Sequence, residues 1–238
     1  MTLSSDRPFD REGACRHWVY RVEGLLSFRW REGTEVIYCR WDRGKGGIEE
    51  LSYWFLDMFL PLYLTLERSN DLLHASAVVS EKGALLFVAP SGGGKSTLAE
   101  AFEAEGTSLL FDDKGLILYD DGGFRTVGST PYRQPEPHEP GLGPSFHHTT
   151  GHSVPIETIY SLEIVEAVAE VKVDLLRGYR TFTSLWPAFL HTFPWCKAER
   201  IRFLSKLIGE IGIYRLQIPR TRERLSEVLE CIRTHRLL

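Results

Sequence analysis

The chain has 238 residues, enough for one large domain or a domain with a small appendage, and enough to bury a core without disulfides or a structural metal. Hydrophobic residues make up 43% and charged residues 25%, a balance that excludes wholesale disorder. With 28 Lys and Arg against 32 Asp and Glu the net charge is −4, which speaks against a nucleic-acid binder working through a broad basic surface, while a local patch could survive it.

The N-terminus carries no apolar signal core, so no leader is expected. Residues 17–22, 25–30 and 35–41 alternate apolar and polar positions and predict three strands, with a turn at 31–34. Trp18, Phe28, Trp30, Tyr38 and Trp41 give that sheet aromatic bulk, which is expected to pack on the main core. After a glycine-rich break at 43–47, Leu51, Phe55, Met58, Phe59 and Leu62 recur at helical spacing and predict a helix over 49–67. Pro61 should kink or divide it. The apolar run 51–66 is too short to span a bilayer and contains Asp57. The four cysteines, Cys15, Cys39, Cys196 and Cys231, form no Cys-x-x-Cys pair and fit reduced thiols. A cytoplasmic protein without membrane contact is expected.

From His74 the pattern becomes that of an α/β domain. Residues 74–79 and 84–89 predict a hairpin of buried strands, 95–105 a helix, 108–111 a short strand, and 116–119 and 124–127 two more. The segment 130–155 holds six of the twelve prolines and four of the eight histidines, a composition that fits a functional lid or a disordered insert, with Arg133 a candidate anion contact. His138, His147, His148 and His152 lack close carboxylate or cysteine partners in sequence, so metal binding is not assigned to them. Helices are predicted near 179–190, 198–210 and 221–235, with a strand at 212–218. The domain division expected is a small N-terminal sheet over 1–48, a connecting helix over 49–73, and a nucleotide-binding domain over 74–238.

The chemistry lies in Ala89-Pro90-Ser91-Gly92-Gly93-Gly94-Lys95-Ser96-Thr97. The phosphate-loop (Walker A) pattern G-x-x-x-x-G-K-[ST] is met at every fixed position but the first, where Ala89 stands. Glycines let successive N–H groups turn inward at phosphate oxygens, and the following helix points its positive end at the same anion. Ser91, Gly92, Gly93, Gly94, Lys95, Ser96 and Thr97 are therefore the nucleotide-binding candidates, with Lys95 for the β- and γ-phosphates and the Ser96 hydroxyl for Mg²⁺. The strand 109–111 then ends in Asp112-Asp113. Two adjacent carboxylates permit a division of labour, one beside the metal and one accepting a proton. His74 alone reads as structural.

The run Leu73-His74-Ala75-Ser76-Ala77-Val78-Val79, the loop Ser91 to Leu98, and Phe111-Asp112-Asp113 together resemble the HPr kinase/phosphorylase family, in particular its short HPr-kinase-like members. The spacing from His74 to Lys95 is 21 residues and from Lys95 to Asp113 is 18, as in that family. The resemblance implies a mixed sheet of the PEP-carboxykinase/HPr-kinase type, use of ATP and Mg²⁺, and His74, Lys95 and Asp113 as catalytic residues. It makes Asp113 the base and leaves Ser96 and Asp112 to the metal. The family's later glycine-rich signature begins with a Glu that binds metal and supports dephosphorylation. The nearest counterpart here, Ser161 to Glu166, lacks the Arg-Gly that should follow Glu163, so that ligand is not carried over.

The expected function is transfer of the γ-phosphate of ATP to a hydroxyl, a serine of a protein or peptide, with no nucleic-acid or membrane partner and self-association left open. The alternatives are an ATP-binding regulatory module without transfer, and a small-molecule or PEP-carboxykinase-like enzyme. No LSGGQ-like run is present, which disfavours a transporter-type ATPase.

Overall fold

Strict alternation of large aromatic and polar residues makes the first strands one-faced, and they form a sheet of their own. The computed structural model describes residues 1–7, 16–67, 71–130, 132–133, 152–193 and 197–237. Strands β1 (Thr2–Ser5), β2 (His17–Val22), β3 (Leu26–Arg31) and β4 (Ile37–Trp41) form an antiparallel sheet in the order β1-β2-β3-β4. The alternation located β2 to β4 within two residues. It missed β1, a short polar strand that exists because it pairs with β2 from Thr2↔Arg21 to Ser5↔Trp18.

The inner face of this sheet does not pack on the main core, contrary to the sequence expectation. Trp18, Tyr20, Leu26, Phe28 and Trp30 bury against Phe59, Leu62 and Tyr63 of the following helix and form a second core. Phe59 is its centre, with ring centroids 4.3 Å from Phe28, 5.3 Å from Trp30 and 5.9 Å from Tyr20.

That helix is not broken at Pro61. It runs as α1 (Ile48–Tyr53), a wider π-helical segment (Trp54–Phe59) and α2 (Leu60–Glu67). Within it the Leu60 N–H bonds the Phe55 carbonyl five residues back. Proline has no N–H to offer the carbonyl four residues before it and its ring crowds that carbonyl, so the irregularity falls in the preceding turn.

The larger sheet has eight strands: β5 (Asp71–Val79), β6 (Ala84–Val88), β7 (Ser108–Phe111), β8 (Lys114–Asp120), β9 (Gly123–Gly128), β10 (Val154–Val165), β11 (Lys172–Leu175) and β12 (Gly212–Pro219). Its order is β11-β12-β10-β6-β5-β8-β9, with β7 also on β5. β10 runs parallel to both β6 and β12, and β5 runs antiparallel to β6, so the sheet is mixed. Helices α3 (Lys95–Ala104), α4 (Tyr179–Leu185), α5 (Lys197–Glu210) and α6 (Leu225–Leu237) accompany it. The helix predicted over 179–190 ends at Leu185 and tightens to a 3₁₀ turn at Trp186–Ala188, where Pro187 removes a donor. β11 is an exposed edge strand that the sequence pattern did not show. β10 starts at Val154, so the end of the proline- and histidine-rich segment is strand; residues 131 and 134–151, with His138, His147 and His148, lie outside the described residues. So do Cys15 and Cys196, while Cys39 and Cys231 are free thiols.

The main core is built from both faces of this sheet, with Leu86, Phe87, Ile159, Tyr160 and Leu216 fully buried between α3, α5 and α6. The buried Arg200 of α5 ties that helix to the start of β5 through Asp71 at 3.0 Å, and stacks on Phe189 with its charge 4.6 Å from the ring centroid. Among the described residues no helix is long and apolar enough to cross a membrane.

Phe59→Ala removes the ring at which the N-terminal aromatics converge and should cost about 3–5 kcal/mol, the usual penalty of emptying a fully buried aromatic site. Urea unfolding followed by tryptophan fluorescence measures it. A loss below about 1 kcal/mol would mean that the sheet and the helix are held by something other than this cluster.

Candidate functional site

Strands β7 and β8 form one antiparallel run along β5, interrupted at Asp112-Asp113. The register is kept across the gap: Ala77 faces Phe111 and His74 faces Lys114. Ala75 and Ser76 therefore stand opposite Asp113 and Asp112, and the Ala75 N–H still reaches the Asp113 carbonyl at 3.0 Å. A register shift follows between Ala77 and Val78. Asp113 leaves the strand in the left-handed region, with φ 80°, the one non-glycine residue to do so among the described residues. Such a conformation costs of order 1–3 kcal/mol and persists only where the surroundings impose it.

The strand period puts His74 and Ser76 on one face of β5, toward the two carboxylates. The Ser76 hydroxyl donates to Asp112 Oδ1 at 2.6 Å, and the Ser96 hydroxyl, from the first turn of α3, donates to the same oxygen at 2.8 Å. His74 Nε2 lies 3.4 Å from Asp113 Oδ1. Lys114 Nζ holds Asp113 Oδ2 at 2.6 Å and Asp57 Oδ1, from the π-helical segment, also at 2.6 Å. The site is largely enclosed: Lys95, Asp112 and Asp113 are 6–8% exposed.

Between β6 and α3 the chain makes a glycine-rich loop. Gly92 and Gly94 take φ of 75° and 86°, open to glycine without strain. At Gly93 a Cβ would come within 2.6 Å of the Ala89 Cβ and 2.9 Å of the Pro90 carbonyl, so a side chain there forces the loop apart. Gly94 precedes α3 and no side chain caps the helix, which leaves its first N–H groups facing outward along the axis. Lys95 Nζ turns back onto the carbonyls of Ala89 and Pro90, at 3.0 and 3.3 Å.

The charges follow from burial and neighbours. Burial pushes the His74 imidazole below its ordinary value, with Asp113 opposing and the cations Lys95 and Lys114 reinforcing the shift. Burial also lowers the Lys95 ammonium, against Asp113 and Asp112. Burial works against the Lys114 charge too, but Asp113 and Asp57 outweigh it and hold the ammonium above its ordinary range. His191 is pushed down to about 4 by burial, then by Arg200 and Lys114.

The catalytic and metal candidates lie together: His74 with Asp113, Ser96 with Asp112, and Lys95 within electrostatic reach of both carboxylates. Arg133 instead pairs with Glu103 and Glu100 of α3. Glu163, in the partial signature, bonds Gln217 at 3.0 Å and Arg215 at 3.5 Å. The sequence reading missed Ser76, Lys114 and Asp57. Ser76 was readable as the residue two beyond His74, and Lys114 as the neighbour of the acidic pair. Asp57 had one signal, a carboxylate inside an otherwise apolar helix.

One antiparallel sheet and one mixed sheet, each with its own core, and a strand, glycine-rich loop and helix beside a carboxylate pair make this a mixed α/β protein. No family model matches the chain, and no curated protein matches it. Among solved structures, one titled as the HPr(Ser) kinase/phosphatase from Coxiella burnetii aligns with 70% of this chain and 96% of that one, at 14% sequence identity and a TM-score of 0.41.

His74 and His191 are both disfavoured as cations by the fold, whereas in the unfolded chain a histidine titrates near ~6.5. The unfolded state thus binds more protons as the pH falls from ~6.5 toward about 4, and stability declines over that window. His191→Gln should flatten the decline, read from urea midpoints at several pH values. An unchanged slope would show that His191 does not titrate on unfolding.

Proposed function

We propose that this protein is an ATP- and Mg²⁺-dependent kinase that phosphorylates a hydroxyl, a serine of a protein or peptide. The observation that carries the reading is the meeting of the Ser96 and Ser76 hydroxyls on Asp112 Oδ1 while Asp113, next in the chain, turns its Oδ1 toward His74. Two adjacent carboxylates thereby have different partners, which is what separate metal and base roles require.

The donor set suits the implied groups. Ser96 and Asp112 offer hard oxygens, the ligands that Mg²⁺ prefers, and they already share a hydrogen bond that a cation would replace. The uncapped start of α3, the left-handed glycines and Lys95 together suit an anion. When bound, ATP supplies the phosphoryl group and Mg²⁺ offsets charge on its oxygens. Lys95 exchanges the carbonyls of Ala89 and Pro90 for phosphate oxygens. Asp113 accepts the acceptor hydroxyl proton, and His74, neutral, orients that carboxylate from its Oδ1 side. Lys114 holds Oδ2, so Oδ1, on the His74 side, is the oxygen that takes the proton. An ATP-dependent enzyme with free Cys39 and Cys231 fits the cytoplasm.

Lys95→Ala should lose nucleotide binding and transfer together. Asp113→Asn should keep binding and lower transfer on the order of 10²–10⁴-fold, the contribution of a positioned base. His74→Ala should lose less. Labelled ATP with a panel of serine-containing peptides reads all three, and saturable ATP binding without turnover on any acceptor would favour the regulatory module instead.

The reaction should run in the kinase direction with little phosphorolysis. Phosphorolysis brings inorganic phosphate against a phosphoserine, two anions whose repulsion needs further positive charge nearby. The Arg-Gly of the family's later signature is missing after Glu163, and Glu163 itself is engaged with Gln217 and Arg215. Phosphorylated product given millimolar phosphate without ADP should release no pyrophosphate. Release at a rate comparable to the forward reaction contradicts this.

A further inference from the structure

The N-terminal sheet has a second face, and its chemistry is the reverse of the aromatic one. The four strands contain no Asp or Glu, and their outward positions carry Arg21, Arg29, Arg31 and Arg40, all exposed. The register sets them close together. Arg21, Ser27 and Arg40 lie in one row across β2, β3 and β4, and Arg29 stands beside the exposed Tyr38. None of the four arginines pairs with a carboxylate among the described residues. A cavity of about 500 Å³ opens among Arg21, Ser27, Arg29, Arg40 and Lys45. Glu23 and Asp42 also line it, Asp42 lying 3.9 Å from Lys45. In a chain of net charge −4 this is a concentrated patch of the opposite sign.

We propose that this face binds an acidic peptide segment of a partner protein in extended conformation. Residues two apart on a strand are roughly 7 Å apart and neighbouring strands about 4.8 Å apart, so arginines at these positions match the carboxylates on one side of an extended chain. β4 ends the sheet order, so a strand laid beside it adds backbone hydrogen bonds and directs alternate side chains to the face of Tyr38 and Arg40. The arrangement disfavours a nucleic acid. Sheets that hold single strands stack bases on exposed aromatics, whereas Trp18, Tyr20, Phe28 and Trp30 here are buried on the other face and Tyr38 stands alone. The proposal does not rest on phosphoryl transfer, and binding is read without nucleotide.

The test uses the full chain and a fluorescein-labelled octapeptide with Glu at alternate positions, its Gln counterpart, and a labelled single-stranded DNA octamer, all by anisotropy. The Glu peptide should bind saturably, weaken as salt is raised, and bind more tightly than the other two. Arg29→Glu with Arg40→Glu should weaken it at least tenfold, and the milder Arg40→Gln in part, with unchanged near-UV circular dichroism. Absence of saturable binding at low salt, equal binding by the charge-reversed chain, or preference for the oligonucleotide overturns the proposal.

Discussion

Everything around the candidate site depends on the pairing of β5 with a strand that is interrupted but not shifted at Asp112-Asp113. Because Phe111 and Lys114 both hold the register, the two aspartates between them are fixed opposite Ser76 and Ala75 and cannot swing away. The left-handed backbone of Asp113 is the local cost of that geometry. What offsets it is the largely buried β5 and β6 hairpin and the two 2.6 Å contacts of Lys114. The Asp113 carboxylate is thereby held between His74 and Lys114 by a backbone with little freedom to rotate.

The second dependence is between the two cores. Asp57 belongs to the helix that packs on the N-terminal sheet, yet its carboxylate meets Lys114 of the larger sheet. Lys114 is thus shared by a carboxylate of the site and one of the neighbouring core. Breaking a largely buried ion pair leaves a charge uncompensated, so the two cores are joined by an interaction that tolerates poor alignment badly. Tyr53, one turn earlier, feels the same charges: burial, then Asp57, raise its phenol while Lys114 opposes.

Much of this was legible because it is local. A loop of Gly92 to Gly94 before Lys95 can be read wherever it occurs, since the backbone angles it needs are written in residue type. Strands β6 and β7 were readable from continuous apolar runs, β12 from the alternation of Ile213, Leu216 and Ile218 with polar neighbours, and α5 from its helical period. The two short edge strands, β1 and β11, were not, because they exist through pairing with β2 and β12 and carry no apolar pattern of their own. The packing of the aromatic sheet was misread for a related reason. Alternation tells which side of a strand is buried, but not which of two cores buries it. Ser76 and Lys114 sat within two residues of recognised positions, whereas Asp57 is brought to the site across 56 intervening residues by tertiary packing alone.

The π-helical segment has one more consequence. A regular helix advances about 100° per residue, so a widened turn changes the angular phase of everything on one side relative to the other. Both contacts leave from this stretch of the helix: Phe59, followed by Leu62 and Tyr63, faces the aromatic sheet, and Asp57 turns to Lys114. The segment works as a vernier between two gear wheels. Removing one of its residues other than Asp57 and Phe59 would turn Ile48–Tyr53 by about 100° against Leu60–Glu67, while the side chains that make the two contacts remained in the sequence.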